Sequence, residues 1–150
     1  MKLIDPWTSP YKSKQGNIGL GKAISLFTMA GITVLLPLND TQDYDLVIDF
    51  GKLLRVSVKT SRALDKGKNN YVILLKRCGG NINKVKNFNS TTSDLLLCYT
   101  KSDTIYLIPT NVIQVKTSLT LNKSLDKYKV FSEGKLNSSA LEEILNVEAP

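Results

Sequence analysis

Acidic and basic side chains alternate with apolar ones in the stretch DYDLVIDFGKLLRVSVKTSR, which runs from Asp43 to Arg62. Asp43 and Asp45 precede one apolar run, and Lys59 follows another. Carboxylate oxygens are preferred ligands of hard divalent cations, and a lysine ammonium can stabilise negative charge that develops on a phosphate. These residue types therefore predict a metal-dependent site for phosphodiester chemistry, provided that the fold brings them together.

Two β-strands joined by a tight turn would bring these side chains to one face. Side chains alternate along a strand, so Arg55, Ser57 and Lys59 share the face opposite the apolar residues of LLRVSVKT. If the apolar faces of both strands meet one core, the loop between them must have an odd number of residues. We predict a three-residue loop centred on Gly51 at positive φ. This register places Asp45 opposite Ser57, and the earlier aspartate of DYD opposite Lys59.

Composition narrows the chemistry further. The chain has 150 residues and a net charge of +7, which favours a polyanionic partner, although a solvated basic surface would show the same excess. Histidine is absent, which excludes histidine-metal nucleases, histidine general bases and Ser-His-Asp triads. Hydrolytic chemistry would have to use carboxylates, lysine and a metal ion. A solvent-facing strand pair with alternating charges is the alternative explanation of the hairpin.

The cysteines and the apolar segments indicate a cytoplasmic protein. Cys78 and Cys98 follow no metal-binding spacing, and both are predicted to be free, mostly buried thiols in a reducing compartment. Asp5 and Pro6 interrupt the N-terminus before any apolar run, so no export signal is expected. The run ISLFTMAGITVLLPL is broken by Gly31 and is too short to span a bilayer.

The remaining elements must position the hairpin. Helical spacing predicts a helix over residues 16–30 that ends near Gly31, and Pro109 opens a short helix. A final helix at residues 138–146 has Ser139 and Glu142 in capping-box spacing. Residues 78–93 are predicted to be a loop with a helical turn. Strands are predicted at residues 32–38, 44–50, 53–60, 71–77, 94–100 and 104–109. The order of elements predicts one α/β domain over residues 1–150 with a mixed central sheet.

With these residues and elements in this order, the sequence resembles the PD-(D/E)XK nuclease superfamily. The matching residues are Asp45 on one strand and Val56-Ser57-Val58-Lys59 on the next, and KQGNIGLGKA looks like the family's glycine-bearing first helix. The segment DLVID followed by RVSVKT is most similar to the corresponding segments of homing endonucleases encoded by bacterial group I introns.

This resemblance implies a restriction-endonuclease-like fold with an αβββαβ core and a Mg²⁺-dependent, site-specific endonuclease of duplex DNA. Asp45 would be a metal ligand, with the backbone carbonyl of Val58 as a second one. Lys59 would orient or activate the attacking water and neutralise phosphate charge. The bound ion would polarise the phosphate and lower the pKa of its water.

Three positions depart from the family pattern. Tyr44 stands where the motif has its proline, and Leu20 stands where the first helix usually has an acidic residue. Ser57 replaces the glutamate, aspartate or glutamine two residues before the lysine, a position where the homing relatives tend to carry glutamine. Serine is too short to reach a metal or its water shell, so Ser57 is interpreted as an inactivating change, either natural or engineered.

Basic and amide side chains outside the hairpin are candidates for DNA binding, because arginine and lysine suit guanine whereas asparagine and glutamine suit adenine. A polar surface loop is the alternative for most of them. The predicted contacts are Lys14, Gln15, Thr60, Ser61, Arg62, Lys76, Arg77, Asn81, Asn83, Lys84 and Lys86.

One such site cuts one strand, so a double-strand break implies a homo-oligomer, either a dimer or a tetramer. The final helix and the strand at residues 104–109, taken as a sheet edge, are candidate contacts between copies. Other functions stay open. The same fold also carries Holliday-junction resolvases and restriction enzymes, and a basic nucleic-acid-binding module without catalysis would have the same charge.

Overall fold

The computed structural model describes residues 1–9, 12–39, 41–67, 69–78, 85–86 and 88–148. Its elements are a mixture of helices and short strands. In chain order they are α1 (Lys12–Met29), β1 (Thr33–Leu35), β2 (Leu46–Asp49), β3 (Leu53–Ser61), β4 (Val72–Leu74), β5 (Arg77–Cys78), β6 (Val85–Lys86), β7 (Leu95–Thr100), β8 (Ile105–Pro109), a 3₁₀ turn (Thr110–Val112), β9 (Ser118–Thr120), a second 3₁₀ turn (Lys123–Tyr128), β10 (Lys129–Ser132), β11 (Lys135–Leu136) and α2 (Ser138–Glu148).

Seven of these strands form one mixed sheet in the order β1-β2-β3-β7-β8-β10-β11. Strands β3 and β7 run parallel, and the other described neighbours in this sheet run antiparallel. The predicted fold class, an α/β protein with a mixed central sheet, is therefore confirmed. Strand β8 lies between β7 and β10 and is buried throughout, so its prediction as a sheet edge was wrong.

The connection between the parallel strands β3 and β7 differs from the expected αβββαβ order. In the described part of residues 62–94 it contains β4, β5 and β6 and no helix. Strand β4 pairs with β9, and β5 pairs with β6, so both small ribbons lie outside the main sheet. Ile73 and Leu75 from this connection are buried, because they pack with Leu96 and Ile108 of the main sheet.

The main sheet carries a hydrophobic cluster on each face. On the first face, Phe27 of α1 and Leu145 of α2 pack with Val56 of β3. On the second face, Leu96 and Ile108 are covered by the β4–β9 layer. Burial of apolar surface on both sides explains why β7 and β8 are entirely buried and have no polar–apolar alternation.

Helix α1 begins earlier than predicted, at Lys12, and ends where the glycine indicated. Gly31 has a φ of 75°, and its N–H donates to the Thr28 carbonyl at 3.0 Å. The Ile32 N–H donates to the Phe27 carbonyl at 2.9 Å. These two bonds form a Schellman motif, in which the left-handed conformation of glycine satisfies the last carbonyl groups of a helix.

The C-terminal part was predicted less well. Strands β9, β10 and β11 were missed, because they have only two to four residues and are too short to show a periodicity. Helix α2 is present and buries Leu141, Ile144 and Leu145 as predicted. Its cap is not the predicted capping box: the Asn137 side chain accepts a hydrogen bond from the Ala140 N–H at 3.2 Å.

No helix among the described residues combines the length and apolar character needed to cross a membrane.

Candidate active site

The β2–β3 hairpin has the predicted register. Leu46 pairs with Val56, and Asp49 pairs with Leu53, which leaves a three-residue loop. Gly51, at the centre of the loop, has a φ of 73°, and its N–H donates to Asp49 Oδ1 at 3.1 Å. The hairpin therefore buries Leu46, Ile48, Leu54 and Val56 on one face, as the parity argument required. Its charged residues lie on the opposite face.

Asp45 lies directly before β2, where the regular pairing with β3 ends. Its N–H donates to the Val56 carbonyl at 2.9 Å, and its Oδ2 accepts a hydrogen bond from the Val58 N–H at 2.6 Å. In a β-strand the N–H and C=O of one residue point toward the same edge. The carbonyl of Val58 therefore points to the edge of β3 at which the Asp45 carboxylate is held.

Lys59 follows Val58 on β3 and projects from the second face of the sheet. It is the parallel partner of Cys98 on β7 and is half-buried beside the second hydrophobic cluster. Cys98 is a free, buried thiol, as predicted. Burial raises the pKa of the Cys98 thiol, and the positive charge of Lys59 opposes this effect. Lys59 therefore lies beside the second hydrophobic cluster and directly follows Val58, whose N–H contacts Asp45.

Ser57 also lies on this face, but it is only 5% exposed. Its Oγ donates to the backbone carbonyl of Asp43 at 3.0 Å. The hydroxyl therefore connects β3 to the bend before β2. The sequence correctly indicated that Ser57 lies near the two aspartates, but it did not indicate that the hydroxyl is used to hold the backbone of one of them.

The structure separates Arg55 from the predicted polar cluster. Its guanidinium makes a two-bond contact with Asp94, with Nε to Oδ2 at 3.2 Å and Nη2 to Oδ1 at 3.1 Å. The Arg55 N–H also donates to Asp94 Oδ2 at 2.8 Å. Burial of Asp94 opposes ionisation, but the hydrogen bonds from Arg55 outweigh it, and the pKa of the carboxyl is lowered.

The sequence matches the PD-(D/E)XK endonuclease family over residues 11–133. The chain belongs to this family. Among solved structures, a bacterial homing endonuclease, I-Ssp6803I, is similar, with a TM-score of 0.70 and 27% sequence identity. That match covers 94% of this chain and 97% of the homing endonuclease. No curated protein matches the sequence. Family membership supports a nuclease function with DNA as the substrate.

Nucleases of the PD-(D/E)XK family typically use a divalent metal ion, and the donor atoms at the hairpin fit one. The described residues contain no group of three or more Asp, Glu, Cys or His side chains suited to a metal. Mg²⁺ does not need such a group, because it keeps several waters and often binds one or two carboxylates together with substrate phosphates. The Asp45 carboxylate and the Val58 carbonyl, directed to one edge of β3, fit this kind of site.

The predicted DNA contacts at the end of β3 have different surroundings. Ser61 is 7% exposed, and its Oγ donates to the Val72 carbonyl at 2.6 Å. Thr60 is half-buried beneath α1, with its Oγ1 buried. Arg62 is exposed, and its guanidinium donates to the backbone carbonyl of Trp7. The hydroxyls of Thr60 and Ser61 therefore face protein, and the Arg62 side chain lies at the surface.

The other predicted DNA contacts are only partly described. Lys14 and Gln15 lie half-buried in the first turn of α1, and Lys76 is exposed. Arg77 pairs with Lys86 across the β5–β6 ribbon, so part of the predicted loop is a pair of short strands. The side chains of Arg77 and Lys86, together with Asn81, Asn83 and Lys84, lie outside what the structure describes.

Two residues that contact the site-bearing strand β3 were missed from sequence. Asp94 was read as the first residue of a strand, and nothing local marks it as the partner of Arg55. Gly19 was noted only as part of a glycine-bearing helix, whereas in the structure it is buried against Thr60. Both contacts join residues far apart in the chain, so a strand or helix pattern cannot reveal them.

Proposed function

We propose that this protein is a site-specific DNA endonuclease of the homing type that hydrolyses phosphodiester bonds of duplex DNA with Mg²⁺. The observation that carries the proposal is the contact between the Asp45 carboxylate and the Val58 N–H at 2.6 Å, immediately before Lys59. The contact supports a site in which a carboxylate, a backbone carbonyl and a lysine lie within one residue step along β3.

Each of these groups has a role in the proposed reaction. Asp45 and the Val58 carbonyl would hold Mg²⁺, which when bound polarises the phosphate and lowers the pKa of water. Lys59 would orient the attacking water and stabilise the negative charge that develops on the phosphate oxygens. Lys59 is half-buried beside the second hydrophobic cluster, and lower solvent exposure strengthens an electrostatic contribution of this kind.

The net charge of +7 and the β5–β6 ribbon support the proposed binding of duplex DNA. A two-stranded ribbon is one of the elements that the major groove of B-DNA admits. Arg77 and Lys86 belong to this ribbon, and the chain between its strands includes Asn81, Asn83 and Lys84. We assign base readout to this segment, and phosphate contacts to Lys14, Gln15, Arg62 and Lys76.

Cleavage of both DNA strands would require at least two copies of the site, so the proposal includes a homo-oligomer, either a dimer or a tetramer. Sedimentation of the protein with and without a DNA duplex tests this part. A species that contains a single protein chain during double-strand cleavage would contradict it.

A second candidate function, a nucleic-acid-binding protein that has lost catalysis, is favoured by Ser57. Its hydroxyl already donates to the Asp43 carbonyl, so position 57 supplies neither a carboxylate nor an amide to the site. Both candidates predict binding that weakens with salt, with a log–log slope of about −0.9 for each phosphate contact. Salt dependence therefore tests DNA binding but does not separate the two functions.

A DNA cleavage assay distinguishes the endonuclease function from the non-catalytic function. Linear duplex, supercoiled and four-way-junction DNA are incubated with the protein and Mg²⁺, in parallel with Lys59→Ala and Asp45→Asn. The endonuclease function requires cleavage of duplex DNA that both substitutions abolish. Tight binding without cleavage of any substrate would support the non-catalytic function, and cleavage restricted to junctions would indicate a resolvase.

A further inference from the structure

We propose that Gly19 is a positioning residue that sets the placement of Lys59 relative to Asp45. This inference rests on the proposed nuclease site and adds a structural requirement to it. Gly19 does not face the site: it lies in α1, on the first face of the sheet. Its effect passes through β3, the strand that carries Lys59 on the opposite face.

The helix backbone at Gly19 touches the two residues that flank Lys59. A Cβ atom at position 19 would lie 1.9 Å from Thr60 Oγ1, 3.2 Å from Thr60 Cβ and 3.4 Å from Val58 Cγ1. The first distance is far below any van der Waals contact. Any side chain at position 19 would therefore have to displace the Thr60 side chain, α1 or β3.

The Thr60 hydroxyl makes this contact specific. Its Oγ1 is buried and has no conventional hydrogen-bond partner among the described residues. The oxygen lies directly over the position that a Cβ of Gly19 would take, where glycine carries a hydrogen. A Cα–H···O contact fits this arrangement, and such contacts recur where backbones pack closely.

The same segment of β3 holds the Asp45 carboxylate. Val58 touches the Gly19 position with its side chain and Asp45 with its N–H, at 2.6 Å. A shift of β3 at Val58 and Thr60 therefore changes both the Asp45 contact and the direction of Lys59. Misplacement of a reacting group by about 1 Å can reduce a rate about 100-fold.

Two other glycines of α1 provide matched controls. Gly16 and Gly21 are exposed, and an added Cβ would meet no atom within 4 Å at either position. Gly16→Ala and Gly21→Ala should keep the cleavage rate and raise Tm, by about 2–4 °C, because alanine favours the helix. Gly19→Ala should lower the single-turnover cleavage rate at saturating DNA at least about tenfold, with DNA affinity nearly unchanged.

The Thr60→Ala background separates positioning from a general loss of stability. Removing Oγ1 leaves 3.2 Å to the Cβ of residue 60 as the shortest approach, which a small shift can relieve. In this background Gly19→Ala should lower the single-turnover cleavage rate less than about threefold. The comparison is between Gly19→Ala/Thr60→Ala and Thr60→Ala alone. Equal losses in both backgrounds, or a Gly19→Ala rate equal to wild type, would overturn the proposal.

The Val58 amide proton gives a readout that does not depend on activity. In wild type its resonance should lie downfield, since the N–H donates to a carboxylate. Gly19→Ala should move this resonance upfield, and Thr60→Ala should restore it, while Gly16→Ala leaves it in place. If wild type cleaves nothing, the proposed function fails, and the amide shift still decides whether Gly19 positions the strand.

Discussion

The two faces of β3 hold their neighbours in different ways. On the first face Leu54 and Val56 are completely buried under α1, and Gly19 allows the helix to approach Thr60. On the second face polar atoms make the contacts: Arg55 binds Asp94, and Ser57 donates to the Asp43 carbonyl. Close packing stabilises the contacts of the first face, whereas hydrogen bonds and charge stabilise those of the second face.

This difference indicates what substitutions on each face should do. The first face stabilises the fold without contributing a chemical group, so its changes should act on stability or on geometry. The second face contains the proposed reacting groups, so its changes should act on cleavage with smaller effects on folding. Each of the following measurements would sharpen this comparison or contradict it.

The largest contrast is between Lys59→Ala and Val56→Ala. Removal of the Lys59 ammonium should reduce Mg²⁺-dependent cleavage about 1000-fold or more, because charge stabilisation in the transition state is lost. Val56→Ala should instead lower the free energy of unfolding by about 2 kcal/mol through loss of buried methyl groups. Single-turnover cleavage and urea unfolding measure the two effects. Equal losses of stability in both variants would remove the distinction between the faces.

Ser57→Gln should increase cleavage about 100-fold, because an amide at position 57 can reach the water shell of a bound ion. The loss of the hydroxyl contact to the Asp43 carbonyl should cost about 1 kcal/mol of folding stability. Ser57→Ala is the matched control, since it loses the same contact and gains no amide. If both variants cleave at the same rate, the second face is not a nuclease centre at this position.

Asp94→Asn should lower the free energy of unfolding by about 1 kcal/mol. The charged contact with Arg55 is weakened, but the side chains are 30% and 42% exposed, so solvent screening limits the loss. Asp126→Asn is a suitable control, because the Asp126 carboxylate, at 51% exposure, forms a surface pair with Lys129. The control should change stability by less than about 0.5 kcal/mol. A larger loss of stability in Asp126→Asn than in Asp94→Asn would show that the burial of an ion pair does not determine its contribution to stability.

The smallest expected effect is the loss of the Asp94 contribution to folding stability at acidic pH. The pKa of Asp94 is lower in the folded protein than its ordinary value, so the folded state favours its ionised form. The resulting stability is present above the unfolded pKa, about 3.9, and is lost as the pH falls through the folded value. The stability difference between wild type and Asp94→Asn should therefore be constant near neutral pH and shrink below about pH 4. A difference that grows in acid would contradict the assigned ionisation.

Much of the hairpin could be predicted because its pattern is local. Apolar alternation requires one parity of pairing and therefore an odd-numbered loop, and the observed loop has three residues with Gly51 at positive φ. The glycine that ends α1 and the apolar stripe of α2 were identifiable for the same reason. The short strands β9 to β11 were not, since segments of two to four residues are too short to show a periodicity.

The sequence by itself determined that a carboxylate and a lysine share one face of a hairpin, because side-chain alternation and turn length are properties of neighbouring residues. Only the tertiary structure decided what surrounds them. Arg55 meets Asp94 because β3 and β7 run parallel, a pairing of segments 39 residues apart that no local pattern encodes. Gly19 meets Thr60 because α1 packs across β3. Contacts of this kind depend on how whole elements pack, which is settled by the burial of both faces of the sheet together.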